Sequence, residues 1–390
     1  MASRVFLHIG LPKTATTYLQ TIMWANREVL AEQRVLLPGV ARHEHLWASR
    51  VVREDPAFEK FGEHRRGAWD RLRSEIAEWP GAALISHEFF AAASTEQAAR
   101  MVAQLAPAEV HLVVTAREPL GLFTDSWQES LKNRETMPIS QYSLTESELP
   151  TSIWNWRTLD IRRVLERWSP GFPAKRVHVL PLPGPPAPKR EIWDRFAALI
   201  GVDPDSVDLS QSFPNASMGV VEAETLRRIN HHLGAFSSAI DRGTYIRTYL
   251  ADDRLVPRGG DPFWPREDRI EETRERGRAA VDYIAAQGFH VVGDLDELLV
   301  PDRLPARRTP ETVTHLEVAA TASELVAQLL EDVRELRRER RQLRNELEAS
   351  RDREDPGLRG SLARRFSSLG RRMLRREEPA HRSGETPAST

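Results

Sequence analysis

The hydrophobic positions of residues 1–300 follow two alternating patterns. Short runs rich in Val, Ile and Leu predict β-strands at residues 5–9, 83–86, 110–116, 177–182 and 289–292. Between them, apolar residues recur every three or four positions and predict helices at residues 16–31, 69–79, 95–105, 120–133, 155–168, 191–200, 220–233 and 268–286. Because strands that alternate with helices build a parallel sheet wrapped by helices, we predict an α/β fold for this domain.

The chain changes character beyond residue 300. Residues 301–319 are rich in proline and arginine and predict a linker, whereas residues 252–267, with Gly259 and Gly260, predict a long mobile loop inside the domain. Residues 353–378 alternate apolar and arginine positions, which is typical of a basic amphipathic helix that binds an anionic membrane surface; a disordered basic tail is the alternative. Residues 379–390 are predicted to be disordered.

Residues 320–352 carry a heptad pattern. Apolar residues and one arginine are spaced by alternating steps of three and four, at Val326, Leu329, Val333, Leu336, Arg340, Leu343 and Leu347. Valine at a positions with leucine at d positions favours a parallel two-stranded coiled coil, so we expect a homodimer. The alternative is a solitary charged helix that is stabilised by ion pairs between successive turns.

Composition excludes several classes of function. The 390 residues are 40% hydrophobic, enough for a large core, and the net charge of −2 gives no support to nucleic-acid binding. The sequence contains no cysteine, which excludes disulfides, Cys–Zn sites and thiol nucleophiles. We find no leader in which a charged stretch is followed by an apolar one, and no apolar run is long enough to span a membrane. We therefore expect a cytoplasmic protein.

Residues 4–20, RVFLHIGLPKTATTYLQ, predict a strand, a tight turn and the start of a helix. The first N–H groups of a helix lack partners and carry partial positive charge, so such a turn binds phosphate; we name residues 10–15 the phosphate loop. Lys13 adds a full charge, and hydroxyl donors come from Thr14, Thr16 and Thr17. The Walker pattern is not matched, because no Gly-Lys-Ser/Thr follows Gly10. The alternative is an ordinary strand-to-helix turn with a lysine on its rim.

The order Pro-Lys-Thr-x-Thr-Thr resembles the 5′-phosphosulfate loop of sulfotransferases that use 3′-phosphoadenosine-5′-phosphosulfate (PAPS). The resemblance implies that Lys13 stabilises the bridging oxygen of the departing phosphate, and that the cofactor is held by Pro12, Lys13, Thr14, Ala15, Thr16 and Thr17. The family usually has glycine where this chain has Ala15. We expect alanine to be tolerated there, as a residue of the first helical turn.

A second segment supports the same resemblance. Arg117 follows the strand predicted at residues 110–116, and the resemblance implies that it binds the 3′-phosphate of PAPS together with a serine of the next helix. The family's serine lies eight residues after the arginine, where this chain has Asp125, so Ser126 is the candidate and Asp125 is expected to point elsewhere. A surface ion pair of Arg117 with Glu118 or Glu129 is the alternative.

The general base is predicted at the end of the second strand. In the family it is a histidine or a glutamate, and this chain has both, His87 and Glu88; we prefer Glu88, because bacterial relatives have Ser-x-Glu at this place. Only one of the two is expected to face the acceptor, since successive side chains of a strand diverge. His43 and His45 are candidates for lining the acceptor cleft, or plain surface residues, and His8 is expected to be buried.

The resemblance covers about residues 4–300. It implies sulfuryl transfer from PAPS, without a metal ion, to a hydroxyl of a carbohydrate, lipid or secondary metabolite. Two alternatives remain: a P-loop kinase-like phosphotransferase, and an inactive coiled-coil or membrane-tethered binding protein, for which Ala15 and Asp125 are the best support.

Overall fold

The computed structural model describes residues 2–144, 147–184, 186–210 and 217–354. Its strands form one parallel sheet, made of β1 (Arg4–His8), β2 (Val35–Leu36), β3 (Ala82–Ser86), β4 (Glu109–Ala116), β5 (Val177–Pro181) and β6 (His290–Val291). The α/β fold and the five predicted strands are confirmed. The strand β2, Val35–Leu36, was not predicted from the sequence.

The strand order is β2-β3-β1-β4-β5-β6, so β1 lies between β3 and β4. In the register of the sheet, Arg4 is paired with Ala82 on one side and with Glu109 on the other. Because all three strands run in the same direction, their carboxyl ends meet at one edge. After β1 the chain forms β2 and β3 on one side of it and then crosses to β4, β5 and β6 on the other side, and α/β proteins bind ligands at such a reversal of strand order.

Helices cover the sheet. Within the described residues they are α1 (Thr16–Ala25), α2 (Arg27–Glu32), α3 (His43–Val52), α4 (Glu63–Arg66), α5 (Ala68–Glu78), α6 (Thr95–Ala103), α7 (Pro119–Lys132), α8 (Trp156–Leu159), α9 (Ile161–Trp168), α10 (Glu191–Ile200), α11 (Val220–Asn230), α12 (Ala239–Asp241), α13 (Glu267–Gln287) and α14 (His315–Glu354). Leu19, Met23, Trp193 and Phe196 pack against Phe6 of the central strand in the main core.

Two predicted helices are each divided in the structure. Asn26 separates α1 from α2, and its side-chain amide donates to the carbonyls of Ile22 and Asp208. Asp160 separates α8 from α9, where its carboxylate accepts from the backbone N–H groups of Arg162 and Arg163. Short polar side chains that bond nearby backbone groups end one helix and start the next.

The prediction of a long loop at residues 252–267 is wrong for its first part. A π-helix, Arg242–Leu255, continues into a 3₁₀ turn, Val256–Arg258. Ile246, Leu250 and Leu255 are buried, and the chain turns after this helix at Gly259 and Gly260, whose φ angles are 73° and 91°. We call Arg242–Leu255 the π-segment.

The described residues divide into two units, residues 2–321 and residues 322–354. The long helix α14 starts at His315, within the predicted linker, because Thr314 and Glu317 form reciprocal side-chain to backbone hydrogen bonds. Its heptad positions Val326, Val333, Leu336, Leu343 and Leu347 are exposed.

The basic segment at residues 353–378 lies almost entirely, and the tail at residues 379–390 entirely, outside the described residues. Among the helices of the described part, none combines the length and the apolar character needed to cross a bilayer.

Candidate functional site

The phosphate loop joins β1 to α1 at the centre of the sheet edge. The Leu11 N–H donates to the Thr115 carbonyl at 2.6 Å, and Gly10 has a φ of 102°. The loop therefore bends across the end of β4 before α1 begins at Thr16. No side chain caps the N-terminus of α1, and its first turn contains no acidic residue. The unpaired N–H groups of this turn give the loop its capacity to bind an anion.

Ala15 does not belong to the first helical turn, as the sequence suggested. It precedes α1 in the left-handed region, with φ 61° and ψ 14°. A residue with a Cβ atom is strained there by roughly 1–2 kcal/mol, and glycine is not. The structure thus explains why a glycine suits this position. With alanine, the left-handed conformation is slightly less stable.

The threonine hydroxyls of the loop have different surroundings. Thr14 is fully buried and donates to the Leu11 carbonyl at 2.6 Å, so its hydroxyl is committed inside the protein. Thr16 and Thr17 have no hydrogen-bond partner for their hydroxyls among the described residues, and Thr17 is exposed. Of the predicted hydroxyl donors, Thr17 is open to a ligand at the surface, whereas Thr16 is only 3% exposed.

A series of buried side-chain hydrogen bonds connects the phosphate loop to strands β1, β3 and β4. His8 contacts Ser86 at 2.8 Å through Nδ1 and Thr115 at 3.1 Å through Nε2, and Thr115 contacts Thr14 at 2.7 Å. Because Thr14 donates to Leu11, we assign Thr115 as donor to Thr14 and the Nε2–H of His8 as donor to Thr115. His8 is buried as predicted, and burial lowers its pKa to about 4, so the ring is neutral.

Lys13 lies at the mouth of the loop and forms an ion pair with α7. Its ammonium is 3.2 Å from a carboxylate oxygen of Glu129, whose other oxygen pairs with Arg247 of the π-segment. Burial alone would raise the pKa of Glu129, but the charges of Lys13 and Arg247 outweigh it and lower the pKa to about 2. Glu129 is therefore a carboxylate that bridges two cations.

Arg117 stands at the carboxyl end of β4, as predicted. Its guanidinium donates to Asp125 at 2.7 Å and lies 3.6 Å from Glu118. The expectation that Asp125 points elsewhere is therefore wrong, because two helical turns bring residue 125 back to the face of α7 on which Glu118 lies. Gly121 leaves the space for this arrangement, since a Cβ there would collide with the Arg117 guanidinium.

The Ser126 hydroxyl has a hydrogen-bond partner other than Arg117. The serine side chain is fully buried, and its hydroxyl lies 2.6 Å from the hydroxyl of Tyr142. The step of one residue along α7 turns the side chain by about 100°, from the loop face toward the domain interior. The structure thus pairs Arg117 with Asp125, and the Ser126 hydroxyl with Tyr142.

Glu88 follows β3 and faces the phosphate loop. Gln20 of α1 donates to its carboxylate at 3.3 Å. Burial alone would raise the pKa of Glu88, but His87, hydrogen bonds from its own N–H and from Gln20, and the charge of Arg42 lower it. Glu88 is therefore ionised at neutral pH, as a general base must be.

The turn Glu88–Ala92 is held from outside by long side chains. Arg157 donates to the Ala92 carbonyl at 2.9 Å, and Arg167 donates to the carbonyls of Ala91 and Ala93 at 2.9 and 3.2 Å. Each of these bonds joins residues that are more than 60 positions apart in the chain. The backbone that carries Glu88 is consequently fixed by the packing of α8 and α9.

His87 has a different environment from Glu88. Its Nδ1 accepts from the Phe89 N–H at 3.1 Å, so the ring caps the turn that follows. Burial lowers its pKa to about 4, and the ring is neutral at neutral pH with one nitrogen already used. The two side chains are 3.9 Å apart, with Glu88 the more exposed of the pair.

The surface beside Glu88 is built by α3 and is rich in cations and rings. Arg53 is buried, donates to the Ser49 and Pro150 carbonyls, and lies 5.8 Å from the Phe89 ring. Both alternatives for His45, a cleft-lining and a plain surface residue, are wrong: it is fully buried and accepts from the Ser86 N–H at 3.1 Å. His43 is exposed and packs on Trp47 at 4.2 Å.

Sequence reasoning missed Gln20 and Arg247, and it considered Glu129 only as a partner of Arg117. Arg247 carried no signal, since arginines are abundant and the π-segment lacks a regular pattern. The position of Glu129, one helical turn after Asp125, was the available clue, because residues four apart share a face of a helix.

Comparisons with known proteins give little further information. The chain matches no protein-family model and no curated protein. Among solved structures, it is similar to a sulfotransferase from Alicyclobacillus acidocaldarius, with 16% identity and a TM-score of 0.37, over 62% of this chain and 92% of that one. This similarity assigns no substrate, cofactor or catalytic residue to the chain.

Proposed function

We propose that the protein is a sulfotransferase that moves a sulfuryl group from PAPS to a hydroxyl group of an acceptor. One observation carries the proposal: the carboxyl ends of three adjacent parallel strands hold Glu88, the phosphate loop and Arg117 side by side. Sulfuryl transfer needs an anion site, a positive charge at the leaving oxygen and a base for the accepting hydroxyl. The motifs that resemble the sulfotransferase family lie at these three places.

The residues of the site have complementary roles in this proposal. The N–H groups at the start of α1, with Thr16 and Thr17, hold the 5′-phosphosulfate, and Lys13 stabilises the negative charge on the departing phosphate. Arg117 binds the 3′-phosphate after releasing Asp125. The acceptor oxygen attacks sulfur, the bond from sulfur to the phosphate oxygen breaks, and the hydroxyl proton passes to Glu88.

The acceptor belongs to a class that offers a hydroxyl, such as a carbohydrate, a lipid or a secondary metabolite. The surface beside Glu88 supports an acceptor with an apolar or aromatic face, since the Phe89 ring lies there, between His87 and Arg53. We further propose that α14 forms a homodimer and that a cytoplasmic protein associates with an anionic membrane through its basic C-terminal segment.

Calorimetric titration tests the proposal directly. Adenosine 3′,5′-bisphosphate should bind without a metal ion, and ATP and GTP should bind much more weakly with or without magnesium. Lys13→Ala should lower transfer from PAPS by about 100-fold or more, as the loss of an oxyanion-type donor does. Lys189→Ala, which removes an exposed lysine, is the matched control. Magnesium-dependent binding of ATP with equal affinity would instead support the kinase-like alternative.

A further inference from the structure

Both cations that the proposed function assigns to the ligand are paired with carboxylates of α7. Arg117 donates to Asp125 at 2.7 Å, and Lys13 lies 3.2 Å from Glu129. Asp125 and Glu129 are four residues apart, so they lie on the same face of the helix, toward the sheet edge. The candidate anion site is therefore bordered by an acidic helix face.

Glu129 has the stronger position of the two. Its side chain is 11% exposed, against 28% for Asp125, and its two oxygens contact two different cations, Lys13 and Arg247. A carboxylate that bridges a lysine and an arginine has the charge and the hydrogen-bond geometry of an oxyanion bound between them. The structure thus shows a two-cation site with an internal anion in it.

The second cation comes from the π-segment, which docks on α7 through two ion pairs. Arg247 pairs with Glu129, and Asp252 lies 2.5 Å from Lys132. In a π-helix, residues five apart stack on one face, and residues 129 and 132 share a face of α7. Charges on the two elements are therefore complementary, and the ion pair with Glu129 places Arg247 beside the same carboxylate that Lys13 contacts.

We propose that Arg247 is a ligand-binding residue of the same anion site as Lys13, and that Glu129 occupies this site until a tetrahedral oxyanion displaces it. The identity of the ligand as PAPS rests on the proposed function; the competition between Glu129 and an oxyanion does not. When the oxyanion enters between Lys13 and Arg247, its oxygens replace those of Glu129. Glu129 is then a determinant of affinity, because every ligand must break its two ion pairs.

Titration of variants of the full-length protein tests this inference. The probes are adenosine 3′,5′-bisphosphate and inorganic pyrophosphate, each without metal. Glu129→Gln removes the competing charge and should tighten binding by about tenfold or more, since close charge pairs couple by more than 1 kcal/mol. Arg247→Gln should weaken binding by a similar factor. In the double variant the gain from Glu129→Gln should shrink, because one of the two cations is gone.

A control separates the anion site from the docking of the π-segment. Asp252→Asn breaks the neighbouring ion pair with Lys132 without touching Lys13 or Glu129, so it should leave the affinity within about twofold. If Asp252→Asn tightened binding as much as Glu129→Gln, Glu129 would act only by fixing the π-segment. Glu129→Asp keeps the charge, but the shorter side chain cannot reach both cations. Its affinity for the probes should lie between those of the wild-type protein and Glu129→Gln, and it tests the inference if the glutamine variant does not fold.

The outcomes distinguish this inference from the proposed function. If pyrophosphate binds Glu129→Gln more tightly but adenosine 3′,5′-bisphosphate binds no variant, the anion site stands and the sulfotransferase proposal fails. If adenosine 3′,5′-bisphosphate binds the wild-type protein, yet Glu129→Gln with native melting behaviour binds no tighter, the competition is refuted. Unchanged affinity in Arg247→Gln would likewise remove Arg247 from the site.

Discussion

Gly10 and Glu88 lie so close together that a larger residue at position 10 would displace Glu88. A Cβ atom on Gly10 would lie 2.9 Å from the Cβ of Glu88 and 3.0 Å from its Cα. The phosphate loop therefore packs directly against the residue that carries the proposed base. A change in the loop at this point must move the carboxylate that faces the acceptor.

We expect Gly10→Ala to reduce transfer by about 100-fold or more, because the added methyl group displaces Glu88 from its position against the loop. The positive φ of 102° adds strain of roughly 1–2 kcal/mol. Gly171→Ala is a matched control, since Gly171 has a φ of 88° and an added Cβ there would meet no atom within 4 Å. Both variants should melt at lower temperature, and equal transfer rates in the two would contradict the coupling.

Glu88→Gln should abolish transfer and leave the affinity for adenosine 3′,5′-bisphosphate nearly unchanged, because a general base acts on the acceptor. His87→Asn should have a milder effect, since the ring only caps the following turn. Single-turnover rates and calorimetry on both variants check this prediction. If His87→Asn lost more transfer activity than Glu88→Gln, His87 would be the general base instead of Glu88. A pH profile alone does not separate the two groups, because both titrate in the acidic range.

Ala15→Gly should stabilise the phosphate loop, because glycine adopts a φ of 61° without strain. The expected gain in the free energy of unfolding is below about 1 kcal/mol, since the unfolded chain also gains freedom from the glycine. Urea denaturation measures it, and Ala99→Gly in the middle of α6 serves as control, because it should destabilise the protein. A loss of stability in Ala15→Gly would show that the left-handed conformation costs the alanine nothing.

The protein should lose stability steeply between about pH 6.5 and pH 4. His8, His45 and His87 are buried, and burial lowers the pKa of each ring to about 4. Below pH 6.5 the unfolded chain binds protons that the folded protein excludes, so the free energy of unfolding falls as the pH decreases. Across this window, protonation of each ring in the unfolded chain lowers the free energy of unfolding by on the order of 3 kcal/mol. Urea midpoints at several pH values test this, and a flat profile would contradict it.

Truncation after Thr321 should convert a dimer into a monomer that still binds the nucleotide. The heptad side chains of α14 are exposed in the single chain, and the phosphate loop, Glu88 and Arg117 all lie in residues 1–321. Sedimentation equilibrium measures the mass of both proteins. In the same experiment series, full-length protein should bind anionic vesicles in a salt-dependent manner. An unchanged oligomeric mass would exclude α14 as the source of dimerisation.

The sequence by itself determined the sheet and the position of the site. Hydrophobic periodicity is a local property, so the runs at residues 5–9, 83–86 and 110–116 predicted three strands of the sheet. The carboxyl ends of parallel strands meet at one edge, which places the phosphate loop, Glu88 and Arg117 at the same edge, whereas the strand order β3-β1-β4 that makes them neighbours comes from the tertiary structure.

Tertiary structure alone decided the charges and conformations within that site. The ion pair of Lys13 and Glu129 joins residues 116 positions apart, and Arg247 reaches it from a π-segment without a recognisable pattern. The left-handed conformation of Ala15 depends on how the loop crosses β4. A sequence pattern reports which face of an element is buried, whereas the pairing of polar groups depends on the angles and distances at which separate elements pack, and no local pattern contains these.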